Sequence, residues 1–140
     1  MERGSAIATA VLVLAVACSE SPAPLESTDQ LSWTSLAPVP TERTEVAAAL
    51  LEGRIYVAGG FAAPNRTVDT VEVYEIAADE WTAGPPLPLP VNHAMAAATE
   101  SGIFVFGGFT AEGPPSDRAF VLRGDAWEEL HRMPEPRGAG

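Results

Sequence analysis

The octapeptide RIYVAGGF, ending at Phe61, returns as GIFVFGGF, ending at Phe109, 48 residues later in a chain of 140. A fixed period of roughly 20 to 50 residues constrains the fold more than any composition does. Each repeat must be one supersecondary unit that buries its apolar face only by packing against its neighbours. The offset of 48 runs without a gap from PVPTERTEVAAALLEGRIYVAGGF, beginning at Pro38, to PLPLPVNHAMAAATESGIFVFGGF, beginning at Pro86. Downstream, Trp81 answers Trp127 and Tyr74 answers Phe120, both at an offset of 46. That slip predicts a connection two residues shorter after the second Gly pair. A third copy begins at MPEPRGAG, and Trp33 in SWTSLAPVP reads as the tail of a unit whose start is absent.

Each complete unit reads as four short strands. Val46 to Leu51 and Ala94 to Thr99 are apolar runs too short for helices, which predicts buried strands. RIYVAGG and GIFVFGG are β-branched and aromatic runs stopped by Gly-Gly. TVEVYEI, from Thr70 to Ile76, alternates apolar and polar residues and predicts a strand with one solvated face. The fourth strand carries the Trp. Glu52-Gly53, Ser101-Gly102 and Arg123-Gly124-Asp125 are hairpin candidates, while PPLPLP and APVP forbid helix and suit extended crossings between units. Four-stranded units of about 40 to 50 residues are the sequence pattern of a propeller blade.

Gly59-Gly60 after an apolar strand, then Tyr74, then Trp81, recurring as Gly107-Gly108, Phe120 and Trp127, resembles the kelch repeat of β-propeller proteins. The resemblance runs from Trp33 to the C-terminus, with Phe120 in place of the family's usual Tyr. It implies an all-β fold: a kelch-type β-propeller with two complete four-stranded antiparallel blades, at about 45–83 and 93–129, and partial flanking blades. The residues support that reading independently. Gly59, Gly60, Gly107 and Gly108 permit positive φ and close backbone approach at the end of a narrow blade, although a Gly pair is also a weak phosphate-loop pattern. Trp81 and Trp127 suit burial against a neighbouring blade, with carbohydrate stacking as the functional alternative.

The first 17 residues predict a secretory signal peptide. Arg3 precedes an apolar core from Ala6 to Ala17 that is too short to span a membrane permanently. Cys18, the sole cysteine, follows Ala15-Val16-Ala17 and resembles the acylated cysteine of a bacterial lipoprotein, with residues 18–30 as lipid anchor and flexible tether. Ordinary cleavage at the A-x-A pattern is the alternative. Localisation is accordingly expected in the cell envelope, lipid-anchored, or periplasmic or extracellular. Residues 31–36 are expected to form a closing strand for the last blade of a ring, and 134–140 to open a truncated next blade. A propeller needs several blades, so the chain is expected to behave as a fragment.

Acidic residues outnumber basic ones 19 to 8, a net charge of -11. Such a surface excludes nucleic acid as the expected partner, because duplex binding rests on phosphate neutralisation by basic groups. All eight basic residues are Arg. Without Lys the chain has no P-loop lysine, Schiff-base amine or Ser-Lys dyad. His93 and His131 have no second His or Cys at ligand spacing, and no G-x-S-x-G elbow occurs. No metal or cofactor is expected. Asn65-Arg66-Thr67 fits the glycosylation acceptor pattern and, in a chain of this kind, a plain turn.

In a four-stranded meander the loop after the second strand and the crossing to the next blade emerge on one side. That side collects Arg43, Arg66, Asn92, His93 and Arg118, the candidate ligand-binding residues. Glu42, Asp69, Glu112, Asp117 and Glu135 share it, so the face as a whole has no anion preference. The leading expectation is a non-catalytic binding module that presents this face to a protein or glycan. The competing one is a carbohydrate-active enzyme, of sugar oxidase or sialic-acid mutarotase type, with reactive residues on blades outside this chain.

Overall fold

A computed structural model describes residues 32–138. The expected signal segment, Cys18 and the linker up to residue 31 lie outside them. Thirteen strands follow in chain order: β1 (Arg43–Thr44), β2 (Ala47–Leu51), β3 (Arg54–Ala58), β4 (Phe61–Ala62), β5 (Arg66–Thr67), β6 (Val71–Glu75), β7 (Glu80–Ala83), β8 (Val91–Asn92), β9 (Met95–Thr99), β10 (Gly102–Phe106), β11 (Phe109–Thr110), β12 (Ala119–Arg123) and β13 (Ala126–Glu129). Two four-stranded antiparallel sheets result, β2-β3-β6-β7 and β9-β10-β12-β13. They are the two kelch-type propeller blades. The short strands form a second layer on the loop side, as the ladders β1-β4-β5 and β8-β11.

Why the sheets stack is visible in the side chains. Ala58, Val71 and Val73 of the first blade, Leu87 and Val91 of the crossing, and Val105 of the second blade form one buried cluster with Tyr56, Leu89 and Trp127 packed against it. The Trp127 indole N–H donates to the Pro85 carbonyl at 2.8 Å. Trp81 repeats this contact in the first blade, donating to Ala37 O, 48 residues before Pro85, at 2.9 Å. Each indole thus binds its sheet to the proline-rich segment that enters the unit. Asp79 adds to the first of these anchors by accepting from both Ala37 N, at 2.7 Å, and Tyr74 OH, at 2.5 Å.

Three sequence expectations change. The two-residue slip does not follow the Gly pair. β3 and β10 pair with β6 and β12 in the same register, Ala58 with Val71 and Phe106 with Ala119, so the loops between them are equal in length. The shortening lies one hairpin later, where Ile76–Asp79 is replaced by Gly124-Asp125. In consequence the counterpart of Tyr74 across from Trp127 is Leu122, and Phe120 occupies the position of Glu72.

The second change concerns β6, which has no solvated face. Paired on both flanks, it is buried from Val71 to Tyr74, Glu72 included. The third concerns β2, expected to be buried. Paired only with β3, it exposes Leu50 at 59%. Residues 32–36, expected to close the last blade of a ring, pair with no strand among the described residues, and Trp33 is 99% exposed. Both sheets already possess a fourth strand, β7 and β13, so neither offers this segment a ladder. At the other end, Arg137 bridges to Ser116 and donates no further ladder among the described residues.

Candidate functional site

The loop side is organised by the Gly pairs. At Gly59, φ is +66°, and a Cβ there would overlap the carbonyl oxygen of Val91. The same relation holds between Gly107, at φ +70°, and the Arg137 carbonyl. Gly60 N donates to Val91 O at 2.8 Å, and Gly108 N to Arg137 O at 2.8 Å. Only glycine allows this approach at this conformation. The pair therefore docks each blade onto the entry segment of the next unit, then turns the chain into β4 or β11. A phosphate-loop role does not fit these amides, since both N–H groups of each pair are already bonded to carbonyls, Gly59 to Thr70 and Gly107 to Arg118 beside the two contacts above.

That turn places Phe61 and Phe109 on the outer layer, with His93 between them. The imidazole meets Phe61 edge-on at 6.1 Å between centroids and Phe109 at 5.8 Å. His93 has φ +51° and its N–H donates to Glu45 O at 2.9 Å, so successive entry segments lie one on the other. Its Nδ1 is 2.8 Å from Asn92 Oδ1 and its Nε2 3.1 Å from Glu45 Oε2. Asn92 is buried, and its Nδ2 donates to Thr67 Oγ1 at 2.8 Å and to the Phe109 carbonyl at 3.2 Å. The carbonyl can only accept, which fixes the amide so that Oδ1 faces the imidazole. Both ring nitrogens thus face acceptors. A cationic ring satisfies both, and a neutral ring donates to one.

Around this group lies a cleft of about 650 Å³ lined by Phe61, Asn65, Arg66, Thr67, Asn92, His93, Phe109, Thr110, Ala111 and Gly113. Its size falls in the range of roughly 300 to 1,000 Å³ of small-ligand sites. Of the five residues expected from sequence, Arg66, Asn92 and His93 are brought together here.

Arg43 and Arg118 are placed elsewhere. The Arg43 side chain is 1% exposed and sealed under the loops, with Nη2 on Glu72 at 2.6 Å and Nη1 on the carbonyls of Gly59 and Thr70, both at 2.9 Å. Its role is to tie the Gly corner to β6. Arg118 makes a two-toothed contact with Glu129, at 2.9 and 2.8 Å, and lies 4.9 Å over the Phe120 ring. The hydrogen bonds from that guanidinium hold the Glu129 carboxyl below the usual carboxylate range. Sequence reasoning missed Phe61, Phe109, Thr67 and Thr110 as cleft residues. The available clue was the Phe that follows Gly-Gly in both units.

Residues 42–88 match the family model of the Kelch motif. The matched stretch runs from β1 through β7 to the start of the crossing, which is the whole first blade with its loop-side layer. The second four-stranded sheet repeats the strand order of the first, with a loop-side ladder of two strands in place of three. No curated protein matches the chain. Among the described residues, no three His, Cys, Asp or Glu side chains converge as metal ligands.

Proposed function

We propose that this chain is an exported kelch-repeat binding module, tethered to a membrane through lipid on Cys18, whose loop face binds a protein or glycan. The observation that carries the binding reading is the cleft between the two blades. Its aromatic rings and polar groups converge on a frame of short ladders held by backbone hydrogen bonds, which is the arrangement of a pre-formed site. The hairpin side of the same blades carries charged side chains of both signs, among them Glu52, Arg54, Glu100 and Asp125. A glycan array and a panel of envelope-protein peptides probed with the full chain test the reading. Arg66→Ala should weaken any hit at least about tenfold, and Glu100→Ala on the hairpin side should leave it unchanged. The reverse ranking would place binding on the other face. For the tether, mass spectrometry of the protein expressed in a bacterium should find an acylated Cys18 as N-terminus, and Cys18→Ser should release the protein from the membrane fraction.

A further inference from the structure

We infer that the cleft takes a small monocarboxylate with a flat apolar body, an aryl carboxylate in the simplest case, with the carboxylate at Arg66 and the body against Phe61 and Phe109. The inference rests on the loop-face reading and adds the ligand chemistry.

The argument begins with Arg66. The other six described arginines each pair with a carboxylate. Arg66, on β5 at the cleft wall, pairs with none among the described residues, although the chain carries 19 acidic groups. Thr110 points the same way. Its Oγ1 is buried without a hydrogen-bond partner, which is costly for a hydroxyl unless something outside the protein completes it. Thr67 Oγ1 accepts from Asn92 and so keeps its own hydrogen free to donate. Asn92 Oδ1 is already opposed by the imidazole. Apart from Asn65 and the hydroxyl lone pairs, the free polar capacity of the cleft is therefore donor capacity with one permanent positive charge.

In a chain of net charge -11 no Asp or Glu lines this cleft. Glu45 lies outside the lining, already engaged by His93 Nε2, so a ligand cation would find no carboxylate on the cleft wall, and a neutral polyol would leave the guanidinium without its counter-charge. One guanidinium offers a planar fork that matches one carboxylate. The remaining wall is apolar, from Phe61, Phe109 and Ala111, which suits a flat hydrocarbon body rather than a compact anion.

The test is two-dimensional amide NMR on the full chain titrated separately with benzoate, benzylamine and a neutral disaccharide. Benzoate should shift the amides of Arg66, Thr67, His93 and Thr110, and benzylamine should not. Arg66→Gln, at an exposed position, should weaken benzoate about tenfold or more without moving the rest of the spectrum. Thr110→Val, which removes only the unpartnered hydroxyl, should weaken it as well. No shift with benzoate, equal shifts with benzylamine, or benzoate binding unaffected by Arg66→Gln would overturn the inference. Shifts of the same amides with the disaccharide alone would overturn the carboxylate assignment and leave the loop-face reading standing. Shifts confined to the hairpin side would sink both.

Discussion

Glu72→Gln is the most informative single perturbation of this fold, because the two blades solve the same position in opposite ways. In the first blade Arg43 and Glu72 form a buried ion pair, with side chains 1% and 8% exposed. At the equivalent positions the second blade carries Val91 and Phe120, both buried. Removing the carboxylate charge leaves a guanidinium in a site with little water, and breaking one side of such a pair costs about 3 to 5 kcal/mol. The low end applies, since Arg43 retains the Gly59 and Thr70 carbonyls and the amide of Gln can still accept. A loss of about 3 kcal/mol corresponds to a fall in Tm of roughly 12 °C or more for a unit of this size.

The double variant Arg43→Val with Glu72→Phe transplants the solution of the second blade. It removes two charges at once and also the Arg43 Nε–H, which is buried without a partner. Well-packed apolar replacement of a buried pair is often neutral or better. The double variant should therefore lie within about 1.5 kcal/mol of the parent, whereas each single change is severe. Urea and thermal unfolding followed by Trp fluorescence measure all four corners of the cycle. A Glu72→Gln cost below about 1 kcal/mol, or a double variant no better than the sum of the singles, would refute the reasoning.

Trp127→Ala should destabilise by about 3 to 5 kcal/mol, through lost packing against the inter-blade cluster, whereas Trp127→Phe should cost only about 1 kcal/mol for the hydrogen bond to Pro85; chemical denaturation separates the two. Gly59→Ala meets the Val91 carbonyl at positive φ and should cost more than about 2 kcal/mol, while Gly124→Ala, also at positive φ but in open space, should cost about 1 kcal/mol in the same assay. The Asp79 carboxyl is held below its ordinary value by the Tyr74 hydroxyl and then by the Ala37 N–H. A lowered folded value means that its contribution is complete above the unfolded carboxylate range and is lost as pH falls through the folded value. Asp79→Asn should remove that acid-side component from a plot of Tm between pH 2 and 6 and leave the neutral region parallel.

Sequence revealed the frame of this protein better than its contents, for a physical reason. Strand positions, Gly pairs and the Trp recur because backbone geometry demands them in every blade, and an offset of 48 exposes them. The ladder register was harder to read, because Tyr74 and Phe120 are alike as rings. Only the pairing shows that Leu122 faces Trp127 and that Phe120 replaces Glu72. Alternation in TVEVYEI suggested solvent since the partner of Glu72 lies 29 residues upstream, where no local pattern can announce it.

The cleft obeys the same division. Its rings, Phe61 and Phe109, are the same in both units and read as part of the repeat. Its polar set is where the units part: Asn92 stands at the position of Thr44, His93 at that of Glu45, Thr110 at that of Ala62, and Arg66 where the second unit has Pro114. A residue required by the blade must appear in each blade, whereas a residue required by a ligand needs to appear once. The positions at which the repeat fails to repeat are thus the ones free to serve binding, and in this chain four of them meet on one cleft.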